Sequence, residues 1–70
     1  SNEITVNAVY NGLSDGHTAE MTLPDGTVNA YQFTDSKVAS KLQEYNVGDA
    51  ITFTYTKESK DAAMVITNVE

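Results

Sequence analysis

The sequence predicts a mainly β domain: five short strands wound as a Greek-key barrel, with one short helix between strands 3 and 4. Three observations carry this expectation. Apolar and polar residues alternate with a period of two in three separate stretches, which is the pattern of half-buried strands. Glycine, aspartate, asparagine and the single proline fall between those stretches, where reversals need them. Only residues 36 to 45 place apolar side chains at helical spacing.

Each element follows in order. From Ile4 to Tyr10 the even positions Ile4, Val6, Ala8 and Tyr10 are apolar while Thr5 and Asn7 are polar, an alternation that Val9 interrupts. Asn11-Gly12 and then Ser14-Asp15-Gly16 read as breaks, because these residues tolerate positive φ. Strand two sets Ala19, Met21 and Leu23 against Thr18, Glu20 and Thr22. Pro24-Asp25-Gly26 is a tight reversal, so Thr27 to Phe33 is expected to return antiparallel as strand three.

Thr34-Asp35-Ser36 offers capping oxygens to the free N–H groups of a first helical turn. Val38, Leu42 and Tyr45 then recur at i, i+4 and i+7, with Lys37 and Lys41 on the other side and Gly48 as a stop. A helix of about ten residues is marginal alone, so it is expected to plug one end of the sheet. Ile51, Phe53 and Tyr55 alternate with Thr52, Thr54 and Thr56 in the clearest strand, whose threonines are read as its wet face. Ala62 to Val69 is expected as strand five, with a bulge near Thr67-Asn68 because Met64, Val65, Ile66 and Val69 fit no single parity. This order is that of a five-stranded OB-like barrel. Closure also removes the two edges that an open sheet rich in Thr, Val and Ile would expose.

Seventy residues hold one core. At this size only about 60% of the unfolded chain's surface is buried, so almost every large apolar side chain is expected inside. Ser1-Asn2 reads as the remnant of a cleaved expression tag. Residues 3–70 read as a single domain without repeat, linker or low-complexity tract.

Charge and composition narrow the function. Four cationic residues against ten acids give a net charge of −6, a field that repels phosphate backbones and anionic lipid headgroups, so no nucleic acid and no membrane surface is expected as partner. Without cysteine there is no disulfide, thiolate nucleophile or thiolate-held metal. The Met64-Val65-Ile66 run is far below the roughly 20 apolar residues that span a bilayer.

No catalytic set is expected. His17 is the one histidine, beside Asp15 and Gly16 in a turn, with Ser14 too near in sequence to reach around it. Asp15, Asp25, Asp35, Asp49 and Asp61 occur one per connection, which is turn and cap chemistry, not the spacing of a metal loop. Glu20 and Glu44 read as solvating charges and not as a glycosidase pair. No cofactor is implied, since Gly12 and Gly16 do not open a phosphate-binding helix.

OB-like barrels bind ligands on strands two and three. Here that face is expected to present Tyr31 as anchor, half-buried with its hydroxyl at the rim, and Gln32, Thr18 and Glu20 as rim contacts, while Phe33 is core. The absence of arginine turns the expectation from single strands of nucleic acid to a protein, a glycan or a small neutral or cationic ligand.

The run Tyr10-Asn11-Gly12, then Asp15 to Glu20, Asp25-Gly26, Ala30 to Phe33, Asp35, Val47 to Tyr55 and Met64-Val65-Ile66 resembles small OB-like domains of secreted proteins and lipoproteins of Gram-positive bacteria. The likeness spans nearly the whole chain. It implies an extracytoplasmic, cell-envelope setting, often as one module of a longer polypeptide. The resemblance brings no catalytic or ligand residues with it. The function expected from the residues is a non-catalytic binding or interaction module or, in the alternative, a structural spacer.

Overall fold

The computed structural model describes residues 2–70, so Ser1 of the expected tag remnant lies outside the described residues. Five strands and one helix follow in the order β1 (Glu3–Asp15), β2 (Thr18–Thr22), β3 (Val28–Gln32), α1 (Ser36–Leu42), β4 (Ala50–Thr56) and β5 (Val65–Val69). The strands close into a ring in the order β1-β2-β3-β5-β4. Every neighbouring pair is antiparallel except β3 and β5.

The first difference from the sequence reading is at Asn11-Gly12. β1 does not stop there; it runs on to Asp15 for 13 residues. Its first half pairs with β4 from Glu3↔Thr56 to Val9↔Ala50, and its second half pairs with β2. Between Tyr10↔Met21 and Leu13↔Ala19 the register slips by one residue, at a bulge where Gly12 takes φ +100°. β1 passes from one neighbour to the other along its length, and a glycine at positive φ bends it without ending the ladder. Asn-Gly is the same signal for a turn and for such a kink.

The 24–26 reversal is as expected. The Leu23 N–H donates to the Thr27 carbonyl at 2.8 Å, the Gly26 N–H to the Leu23 carbonyl at 2.9 Å, and the Thr27 N–H to Asp25 Oδ1 at 2.9 Å. Asp35 caps α1, its Oδ1 accepting from the N–H groups of Lys37 at 2.7 Å and Val38 at 3.2 Å. The helix is seven residues and shorter than the periodicity predicts, because the chain tightens after Leu42 into bonds from Glu44 N–H to the Lys41 carbonyl and Tyr45 N–H to the Leu42 carbonyl. Tyr45 nonetheless packs on the core, so the apolar stripe outlasts the helix.

β5 starts later than residue 62, at Val65, and the expected bulge is present. Tyr55 pairs with Ile66 and Thr54 with Asn68, which leaves Thr67 as the extra residue. The bulge lets Ile66 and Val69, three apart, both face inward at 1% and 8% exposure.

The interior is filled by side chains. Tyr31, Phe53, Met21, Leu42 and Ile66 are the largest of those fully enclosed, and no buried side-chain nitrogen or oxygen among the described residues lacks a partner. Val38 and Leu42 bring the helix stripe into the same cluster. Among the described residues, no helix is long and apolar enough to cross a membrane.

Candidate interaction surface

With the barrel interior full, the outer surface is where chemistry is available. Three of the four expected contact residues are gathered there. Thr18 stands directly across from Gln32, and Glu20 across from Ala30, all on the outward face of the β2–β3 hairpin. Tyr31 is not with them. It is completely enclosed, its ring 4.8 Å from Phe53 and 5.0 Å from Tyr55 between centroids, and its hydroxyl accepts from Asn29 Nδ2 at 3.4 Å. The expected half-buried anchor is therefore corrected to a core residue. The reason is elementary: successive side chains on a strand point to opposite faces, so Tyr31 and Gln32 cannot both face a ligand. Burial also raises the phenol of Tyr31, and that of Tyr10, above the ordinary value.

The solitary histidine is part of a turn. Asp15 Oδ1 accepts the His17 N–H at 2.9 Å and lies 3.3 Å from His17 Nδ1, both side chains being largely exposed. The hydrogen bond from the His17 backbone, aided by Thr18, holds the Asp15 carboxyl below its ordinary value. Asp25 is lowered in the same way by the backbone N–H of Thr27. These aspartates shape reversals.

The surface also carries depressions, two of which bear on the site. One, of about 290 Å³, lies between α1 and β5 beside Lys37, Lys41, Thr67 and Asn68. Of its lysines, Lys41 holds Nζ 3.6 Å from Glu44 Oε1, and the Asp35 carboxylate also lines it. The other, of about 330 Å³, is shallow and is bordered by Asn7, Val9, Thr22, Leu23 and Pro24.

This second depression belongs to a larger feature that the sequence reading missed. Ala50 pairs with Val9, Val9 with Thr22, and Thr22 with Val28. One continuous row thus crosses β4, β1, β2 and β3, about 14 Å from end to end at the usual strand spacing. Val9 is 40% exposed and Val28 56%, and Ala50 is exposed as well. The Thr22 hydroxyl is occupied by Asn11 Nδ2 at 2.7 Å, so the row is less polar than its one threonine suggests. Val9 was the signal: it is the apolar residue that interrupts the alternation of β1 on its wet face.

Charge is spread unevenly along the chain. From residue 3 to residue 36 the chain carries Glu3, Asp15, Glu20, Asp25 and Asp35 and no lysine or arginine. The four lysines lie on α1 (Lys37, Lys41) and in the β4–β5 connection (Lys57, Lys60).

Comparison with known proteins places this geometry. The family model of the LytA beta-barrel domain, an OB-like barrel, matches residues 3–70. Searches among curated proteins and among solved structures each gave no match.

Proposed function

The chain belongs to the LytA beta-barrel domain family, and from that premise we propose that it is a non-catalytic interaction module of the bacterial cell envelope, working outside the cytoplasm on a protein partner. The observation that carries the reading is the exposed row Ala50–Val9–Thr22–Val28. In a barrel this small, apolar side chains left on the surface in one contiguous line mark contact surfaces more often than scattered exposure does. The packed core supports the same reading, because Tyr31, Phe53, Met21, Leu42 and Ile66 occupy the barrel interior. Glu20, Thr18 and Gln32 then border the contact as polar rim, with Val9 and Val28 in the anchoring role first expected of Tyr31.

The test is a photo-crosslinking amino acid placed at Val28 and, as control, at Ser40 on α1, in cells that make the protein naturally. A discrete adduct from position 28 and none from position 40 is the expected result. Equal adducts from both, or none, favours the competing reading of a spacer that only sets distance within a larger secreted protein.

A further inference from the structure

The ring is closed at β3 and β5 by a single residue pair, Gln32↔Val65, with the Gln32 N–H donating to the Met64 carbonyl at 2.8 Å. That bond fixes which way every backbone group of β3 points. Along a strand, N–H and C=O of one residue share a side and successive residues alternate. Gln32 faces β5, and Phe33, whose N–H reaches the His17 carbonyl at 2.9 Å, faces the β2 side. It follows that Tyr31 and Asn29 make the ladder bonds to Ala19 and Met21, and that Ala30 and Val28 aim their N–H and C=O groups into the seam.

Among the described residues nothing meets them there. The segment leading into β5 gives β3 only the Met64 carbonyl, and both Ala30 and Val28 are exposed. The seam therefore holds an open edge of two residues, with two donors and two acceptors about 7 Å apart along the strand. Such an edge is a template for another strand unless charge or proline blunts it, and here neither is present on β3.

We infer that the partner of this domain docks as an extended, basic polypeptide segment that adds to the free edge of β3 at Val28 and Ala30. The inference rests on the reading of the domain as an interaction module and names how that module grips. Added next to β3, the segment lies at the end of the apolar row, where its own apolar side chains meet Val28. Its outward side chain opposite Ala30 is two strand spacings, about 10 Å, from Glu20, within reach of a lysine or arginine. Asp25 in the adjoining turn adds a second carboxylate. A second copy of the chain is a poor occupant, because it brings the same carboxylates and a net charge of −6 to a surface that already has them.

The experiment is a titration of the isotope-labelled domain followed by NMR. Three probe peptides are used: nine residues alternating valine and lysine, the same with glutamate for lysine, and the lysine peptide N-methylated on alternate backbone nitrogens. The expected result is that the lysine peptide moves the Val28 and Ala30 amides most and slows their hydrogen exchange about tenfold or more, while the other two bind at least about tenfold more weakly. Ala30→Pro removes one edge donor and should weaken binding as well. If that variant fails to fold, the N-methylated peptide tests the same bond. Equal binding of the N-methylated peptide, or shifts confined to Val9, Thr22 and Ala50 with unchanged exchange at 28 and 30, overturns strand addition and leaves the interaction module standing. Absence of binding by the lysine peptide, or self-association on sedimentation that protects the same two amides, overturns the basic segment as occupant. The crosslinking comparison above fails independently of all these.

Discussion

Tyr31 and Phe53 meet edge to face inside the barrel, with ring centroids 4.8 Å apart and planes inclined at 71°. The pair joins β3 to β4, strands that are not neighbours in the ring, so it holds the barrel across its interior and not along its wall. Tyr31→Ala should therefore destabilise the domain by about 3–5 kcal/mol, the range for emptying a buried aromatic site. Tyr31→Phe keeps the ring and loses only a long bond from Asn29, so it should cost about 1 kcal/mol or less. Urea unfolding of both variants checks this. A small loss for the alanine variant contradicts the burial of Tyr31.

Asp35 caps the N-terminus of α1, and its side chain serves two N–H groups at once. A seven-residue helix has little cooperativity of its own. Asp35→Ala should cost about 1 kcal/mol and Asp35→Asn only a few tenths, measured by thermal unfolding.

Gly12 and Gly16 look alike in the sequence and differ in the structure. Gly12 holds φ +100°, and a Cβ there would meet Val47 Cγ2 at 3.3 Å; Gly16 has nothing within 4 Å of a Cβ. Val47 is 71% exposed and can yield, so backbone conformation decides the cost. Gly12→Ala should lose about 1–2 kcal/mol, while Gly16→Ala should be neutral or gain up to about 1 kcal/mol. Paired denaturation curves separate the two.

Acid should weaken the fold in a defined window. Asp15 and Asp25 sit below their ordinary value of 3.8 in the folded chain, through backbone hydrogen bonds from His17 and Thr27. A depressed folded value means stability that is present above pH 3.8 and is lost as the pH falls through the folded values. Tyr10 and Tyr31 act at the other end. Raised above 10.0 by burial, they leave stability intact below that pH and remove it as the pH climbs toward their folded values. The melting temperature should be flat between about pH 5 and 9. It should fall on both sides, and Asp15→Asn with Asp25→Asn should flatten the acid limb.

Much of this architecture was legible from the residues. The Pro24-Asp25-Gly26 hairpin, the Asp35 cap, the inward set Ile51 and Phe53 and the bulge at Thr67 each follow from turn chemistry or from a parity that two apolar positions could not share. The extent of β1 did not, because Asn11-Gly12 marks a reversal and a kink with the same letters and only closure of the ring chooses between them. The outward face of the β2–β3 hairpin was half legible. Thr18, Glu20 and Gln32 share a face as expected, but assigning Tyr31 to that face put chemical appeal ahead of strand alternation. The row through Val9 and Val28 depends on the register of four strands at once, and a single sequence does not fix it.

Tyr31 and Met21 lie inside the barrel, and Val9 and Val28 lie outside it. A soluble paramagnetic agent read out by NMR tests that division in one measurement. The methyl groups of Val9 and Val28 should relax strongly, with the Tyr31 ring and the Met21 methyl protected. A Tyr31 ring that relaxes as fast as Val28 would contradict the account.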